Sequence, residues 1–162
     1  MIIRAATVAD FDAIWPIFAS VIASGDTYVF SPDTPRAEAF AYWFGPGVAC
    51  YVAETADAVV GMYKIVPNQR DRGSHVANAS FMVAPPHAGR GVGRQMGEHC
   101  LRTARARGFL AMQFNFVVST NAAAVALWKG LGFAIVGTLP EAFRHRELGL
   151  VDAYVMHRPL DR

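Results

Sequence analysis

Val83-Ala84-Pro85-Pro86-His87-Ala88-Gly89-Arg90-Gly91-Val92-Gly93-Arg94 is the stretch from which the rest of the chain is read. An apolar run ends at it, and a helical pattern from Gly91 to about Arg107 follows. Gly89, Gly91 and Gly93 alternate, with Arg90 and Arg94 among them. Glycines let backbone N–H groups approach a ligand without Cβ interference. A helix N-terminus adds unpaired donors and the positive end of a dipole. Together they describe a pyrophosphate cradle. A Walker A loop is excluded, because Arg94 stands five residues after Gly89 and no Lys-Ser/Thr follows. A dinucleotide fingerprint is disfavoured: Met96 fills its third glycine position, Gly97 comes one residue late, and the loop does not follow a first strand. The third reading is a coenzyme A pyrophosphate loop.

Working outward, His75–Ala84 reads as a strand leading into the loop. Before it, Cys50–Glu54 and Val59–Val66 read as strands joined by a hairpin around Ala56-Asp57. Asn68–Gly73 is a polar loop. At the start, Ile2–Arg4 reads as a short strand. Thr7 with Asp10 then resembles a capping box. Phe11, Ile14, Phe18, Val21 and Ile22 follow near helical spacing, with Pro16 expected to kink that helix. Thr34-Pro35 opens a second helix running to about Phe44, after a loop at Gly25–Asp33. Downstream, Leu110–Val118 is a strand, and Ser119, Thr120 or Asn121 caps a helix ending near Gly130 or Gly132. Phe133–Thr138 and Ala153–His157 are the last strands, separated by a loop carrying Pro140, Phe143, Arg144, His145 and Arg146. The order is βααβββαβαββ, an α/β (α+β) arrangement with helices on both faces of a mixed sheet.

Bulk properties narrow the function classes. The 162 residues suit one domain, 1–162, and 53% apolar with 17% charged residues is a globular rather than disordered composition. A net charge of +2 gives no reason to expect nucleic acid. Apolar runs fall short of a membrane span, and Met1–Asp12 lacks the pattern of a signal peptide. Cys50 and Cys100 sit in no metal-ligand spacing, so no metal is expected and reduced thiols in a cytoplasmic protein are.

The loop and one later segment together resemble the GNAT superfamily of N-acetyltransferases. Ala88-Gly89-Arg90-Gly91-Val92-Gly93 is similar to its Q/R-x-x-G-x-G/A motif, with alanine at the first position. Asn121 through Phe133, with Ala124, Leu127, Trp128 and Gly132, is similar to its N-x-x-A-x-x-L-Y-x-x-x-G-F segment. Gly137 through Tyr154 is faintly similar to the phosphinothricin-type branch. The resemblance implies a GNAT-like, largely antiparallel sheet and acetyl-CoA as acyl donor. It places the pyrophosphate on backbone N–H groups from Ala88 to Arg94, including that of Ala88, with Arg90 or Arg94 replacing the missing charged side chain. It pairs the pantetheine arm with the backbone of Met82 and Val83, the Val83 N–H donating to the thioester oxygen. Asn121 and Ala124 would also contact the cofactor.

Trp128 stands where many relatives have the tyrosine that protonates the departing thiolate. An indole N–H only donates, so this residue is expected to line the cofactor groove. A thiol pKa of roughly 8.5 lets the thiolate leave unaided.

Some relatives carry a strand glutamate where this chain reads His75-Val76-Ala77-Asn78. Asp26, Glu141, His145 and His75 are the alternative bases, as is a water oriented by Asn115 or Ser119. The acceptor is expected between the first interhelical loop and the last strands, against Asp26, Tyr28, Phe30, Asn115 and His145. Aromatics mixed with single charges suit a small-molecule amine, and Arg144 or Arg146 would meet a carboxylate on it. The resemblance also implies direct transfer in a ternary complex and a homodimer. The competing reading is an acyl-CoA-binding module that has lost transfer.

Overall fold

The computed structural model describes residues 1–56 and 58–160. Its strands are β1 (Ile2–Ala5), β2 (Ala49–Glu54), β3 (Val59–Pro67), β4 (Val76–Val83), β5 (Ala111–Val118), β6 (Ala134–His145) and β7 (Gly149–Pro159). The helices are α1 (Phe11–Ser24), α2 (Arg36–Phe44), α3 (Val92–Ala106) and α4 (Ala122–Gly130). Their order along the chain is the expected one.

Apolar spacing explains the helices. Phe11, Ile14, Ile17, Phe18 and Ile22 line the buried side of α1, and Gly25 ends it at φ 66°. Pro16 is accommodated within α1, whose assigned span is unbroken. Val92, Met96, Cys100, Leu101 and Ala104 make the buried stripe of α3. Strand β3 is buried along most of its length because helices cover it on both sides.

The seven strands form one sheet in the order β1-β2-β3-β4-β5-β7-β6. Neighbours are antiparallel except β4 and β5. That parallel pairing covers Val76 with Ala111 and Ala77 with Met112, and then stops. The strands separate beyond it. A second feature defines the sheet's two faces. Val52, Met62 and Met82 are register partners and pack with α1 and α2. Ala53, Tyr63, Ile65, Ala77 and Ala79 pack with α3 and α4.

The last hairpin differs from the expectation. Pro140 to His145, expected in a loop, belong to β6, which pairs with β7 from Ala134 to His145 across two irregularities. Most of β6 is exposed on both sides, so its sequence lacks the alternation that marks a half-buried strand. Of the expected Ala56-Asp57 turn, Asp57 lies outside the described residues; the flanking strands are antiparallel, and the Thr55 N–H donates to the Ala58 carbonyl at 2.9 Å.

Candidate active site

The glycine loop is built as its composition requires. Gly89 (φ 73°) and Gly91 (φ 82°) both take left-handed backbone, where a side chain would be strained. Gly91 is the N-cap of α3. The N–H groups of Val92, Gly93 and Arg94 lie in the first turn and have no acceptor inside the helix. Arg90 is exposed beside them, and Arg94 reaches Glu98 at 3.5 Å. Ala88 departs from the expectation. Its N–H closes a short helical turn by donating to the Pro85 carbonyl at 3.1 Å, so it is already committed. N–H groups left free for an anion therefore begin beyond Ala88.

Two other glycines set helix packing. A Cβ on Gly93 would stand 3.3 Å from Leu127, and one on Gly97 would meet Leu131 at 2.6 Å and Trp128 at 3.2 Å. Gly97, one residue late for a dinucleotide loop, is what lets α4 lie against α3.

Where β4 leaves β5, its main chain alternates. The Ala84 N–H points to Val60 on β3, at 2.9 Å. The Phe81 N–H and carbonyl point the other way, to the Tyr28 hydroxyl, at 2.9 and 2.6 Å. By this alternation Val83 turns its polar groups toward the gap and Met82 turns its own toward Met62. Met82 is corrected accordingly: its side chain is buried with α1 and α2 and its backbone serves β3.

The gap is a cavity of about 280 Å³. From β4 it is lined by Asn78, Ala79, Ser80 and Phe81, and from β5 by Phe114 through Val118. Asn121, Ala124 and Trp128 of the α4 segment close one side, and Thr27 to Phe30 with Tyr42 close the other. Asn121 caps α4, its side-chain oxygen accepting the Ala124 N–H at 3.2 Å. Trp128 is 7% exposed and packs between Phe81 and Phe114, ring centroids 4.8 and 4.6 Å away.

Among the expected acceptor contacts, Tyr28, Phe30 and Asn115 line this cavity. Asp26 does not; it is exposed, and its carboxylate accepts the Ser24 hydroxyl. His145 sits at the tip of the β6–β7 hairpin, its Nδ1 taken by the N–H groups of Glu147 and Leu148 at 3.1 and 3.2 Å. Glu141 is exposed on β6, with its N–H bound to Asp152 at 2.9 Å. His75 is exposed just before β4, and Ser119 uses its N–H on the Asp152 carbonyl. None of these four lines the gap. Arg144 and Arg146 line an adjoining outer cavity that shares Tyr28, Val29 and Phe30.

The layer beneath α2 holds groups that the linear sequence does not advertise. Lys64 is 8% exposed, donates to the Tyr42 carbonyl at 2.8 Å and lies 3.1 Å from the Tyr42 ring centroid. Burial lowers its pKa to about 8. The Tyr42 hydroxyl meets Ser80 at 2.6 Å, and burial raises the pKa of both Tyr42 and Tyr28. These contacts join residues far apart in sequence; no local pattern signals them.

Residues 15–133 match the acetyltransferase (GNAT) family. The chain is 30% identical to N-acetyltransferase aca1 of Schizosaccharomyces pombe, over 83% of this chain and 72% of that protein. It superposes on a GCN5-related N-acetyltransferase from Kribbella flavida with a TM-score of 0.93 and 45% identity, covering 98% of this chain and 97% of that one. The structure of yncA from Salmonella typhimurium, solved with its cofactor acetyl-CoA, matches with a TM-score of 0.87 and 25% identity over 100% and 95% of the two chains. With a first-turn anion loop, a strand edge opened by the parting of β4 and β5, and a capped helix across the gap, the chain belongs to the GNAT family and is an acetyl-CoA-dependent N-acetyltransferase.

Proposed function

We propose that the enzyme moves the acetyl group to a primary amine of a small molecule, by direct attack within a ternary complex. The observation that carries this reading is the parting of β4 from β5 after Ala77 and Met112. It gives a cavity walled by the α4 segment on one side and by the interhelical loop on the other. Pantetheine enters beside Val83 and Asn121, and the amine enters past Tyr28 and Phe30. The Val83 N–H then donates to the thioester oxygen as negative charge develops there. A nitrogen–carbon bond forms, the carbon–sulfur bond breaks, and the proton lost by nitrogen leaves through water.

Direct transfer is favoured over an acyl-enzyme by the state of the thiols. Cys50 and Cys100 are buried away from the gap. Burial pushes the Cys50 pKa up to about 12 and that of Cys100 higher still, so neither supplies a thiolate near neutral pH. Arg144 and Arg146, at the outer cavity, are assigned to an anionic group of the acceptor. We also propose one catalytic domain spanning 1–162, a cytoplasmic setting consistent with two free cysteines, and a homodimer. Support for the dimer lies in the open edge of β6 and in exposed Val136, Leu148 and Leu150. Among the described residues no helix is long and apolar enough to cross a membrane.

The experiment is thiol release with a panel of amines, with both substrates varied. Intersecting double-reciprocal lines are expected. Parallel lines would replace direct transfer with an acyl-enzyme. Acetyl-CoA binding without turnover on any amine would remove the small-molecule reading. Light scattering on the purified protein checks the dimer.

A further inference from the structure

Four side-chain amides meet at the fork of β4 and β5. Gln113 donates to the Asn115 oxygen at 2.8 Å. Asn115 Nδ2 donates to Asn68 Oδ1 at 2.7 Å, and Asn78 Nδ2 donates to the same oxygen at 3.2 Å. The Asn68 backbone is itself anchored, its N–H donating to the Val76 carbonyl at 2.8 Å. In this arrangement Asn68 Oδ1 accepts from both Asn115 and Asn78. With its nitrogen spent on Asn68, the Asn78 side-chain oxygen is left as an acceptor.

The other amide, phenol and serine oxygens on the cavity wall already have partners. The Asn115 oxygen is bonded to Gln113, the Asn121 oxygen to the Ala124 N–H, the Tyr28 oxygen to the Phe81 N–H, and Ser80 to Tyr42. Among the described lining residues there is no carboxylate and no imidazole. Asn78 alternates with Ser80 and Met82 along β4, which puts its side chain on the α1–α2 face, opposite α3 and its anion loop. A nucleophile approaching from that face meets this oxygen.

We propose that the Asn78 side-chain carbonyl accepts a hydrogen bond from the acceptor's nucleophilic nitrogen and aims its lone pair at the thioester, with Asn68 as the residue that orients Asn78. This rests on the transfer reading above. The amide oxygen can hold one N–H of the free base while the nitrogen lone pair faces the thioester. A neutral amide cannot take a proton, so the amine must lose its own to solvent before it attacks. Transfer then needs no enzymic base: nitrogen attacks, the carbon–sulfur bond breaks, and the extra proton on the new amide passes to water.

The test uses the amine turned over fastest in the panel and at least one other of different pKa. Asn78→Ala is expected to lower kcat/KM by about 10- to 30-fold, with the acetyl-CoA Kd from calorimetry within about twofold of wild type. Asn68→Ala is expected to lose roughly fivefold, because Asn78 is freed to rotate. In wild type, the rising limb of kcat/KM against pH should move with the pKa of whichever amine is used. Asn78→Asp should move that limb to lower pH, since a carboxylate attracts the protonated amine and can take its proton. Asn78→Ala within about threefold of wild type overturns the proposal. So does a wild-type limb with the same pKa for every amine, which would identify an enzymic base. If Asn78→Ala does not fold by circular dichroism, Asn68→Ala decides, and unchanged kcat/KM there is equally fatal. Failure of wild type to acetylate any amine sinks the transfer reading; activity that survives loss of Asn78 sinks this inference alone.

Discussion

Both faces of the sheet pack aromatic rings, but under α3 and α4 glycines bring the helices close, whereas under α1 and α2 a buried lysine stands among the rings, with the amide cluster on that side of the fork. On the α3–α4 side, Trp128, Phe114 and Phe133 stack together, and Gly93 and Gly97 bring the two helices close. The anion loop needs backbone conformation rather than particular side chains. The other side packs Lys64, Tyr42 and Ser80 beside apolar residues, and Asn78 lies on it at the fork. In the proposed reading the donor half rests on backbone geometry and the acceptor half on individual side chains.

The most severe way to break this contrast is Trp128→Ala. Removing a buried indole from the ring cluster should destabilise the protein by about 3–5 kcal/mol, read as a lower denaturant midpoint. Gly91→Val comes next. A β-branched residue at φ 82° is strained, and acetyl-CoA affinity should fall about 100-fold in calorimetry with the fold retained.

Lys64→Met tests the opposite face and should act in the opposite direction. Replacing a buried, desolvated ammonium with an isosteric apolar chain is expected to stabilise the protein by about 1–2 kcal/mol at pH 7. The sign of its pH dependence follows from the lowered pKa. Between about 8 and the ordinary 10.5, the unfolded chain holds a proton that the folded protein has released, so wild-type stability rises with pH across that window. The methionine variant should lose that rise, measured by urea unfolding at several pH values. Arg144→Ala gives the smallest effect. KM for a carboxylate-bearing amine should rise about fivefold, with acetyl-CoA binding unchanged, because the guanidinium is exposed.

How far the sequence could be read follows the same division. Gly89 and Gly91 are legible because only particular backbone angles explain them, and Asn121 because capping is local. Ala88 was misjudged through a turn closed by Pro85, which no spacing reveals. Met82 and Val83 were separable only once Ala84 and Phe81 fixed the alternation of β4. On the acceptor side, Tyr28 was named but its bond to Phe81 was not, since the two are 53 residues apart. Asn78 was noted for lacking a carboxylate; its partner Asn68 is reached only after β3 and β4 pair. Asp26 and His145 were misplaced because each is satisfied by a near neighbour, Ser24 or the hairpin tip.

The bond from Tyr28 to both polar groups of Phe81 reaches beyond packing. In the proposed reading Tyr28 belongs to the loop that frames the amine, and Phe81 to the strand that frames the pantetheine arm. Whatever moves this loop must disturb the strand edge, and whatever occupies the edge must displace or accommodate the phenol. Reciprocity then applies: if acetyl-CoA alters the affinity for the amine by some factor, the amine alters the affinity for acetyl-CoA by the same one. If both substrates bind as proposed, a single hydroxyl makes them thermodynamically aware of each other before either bond is made or broken.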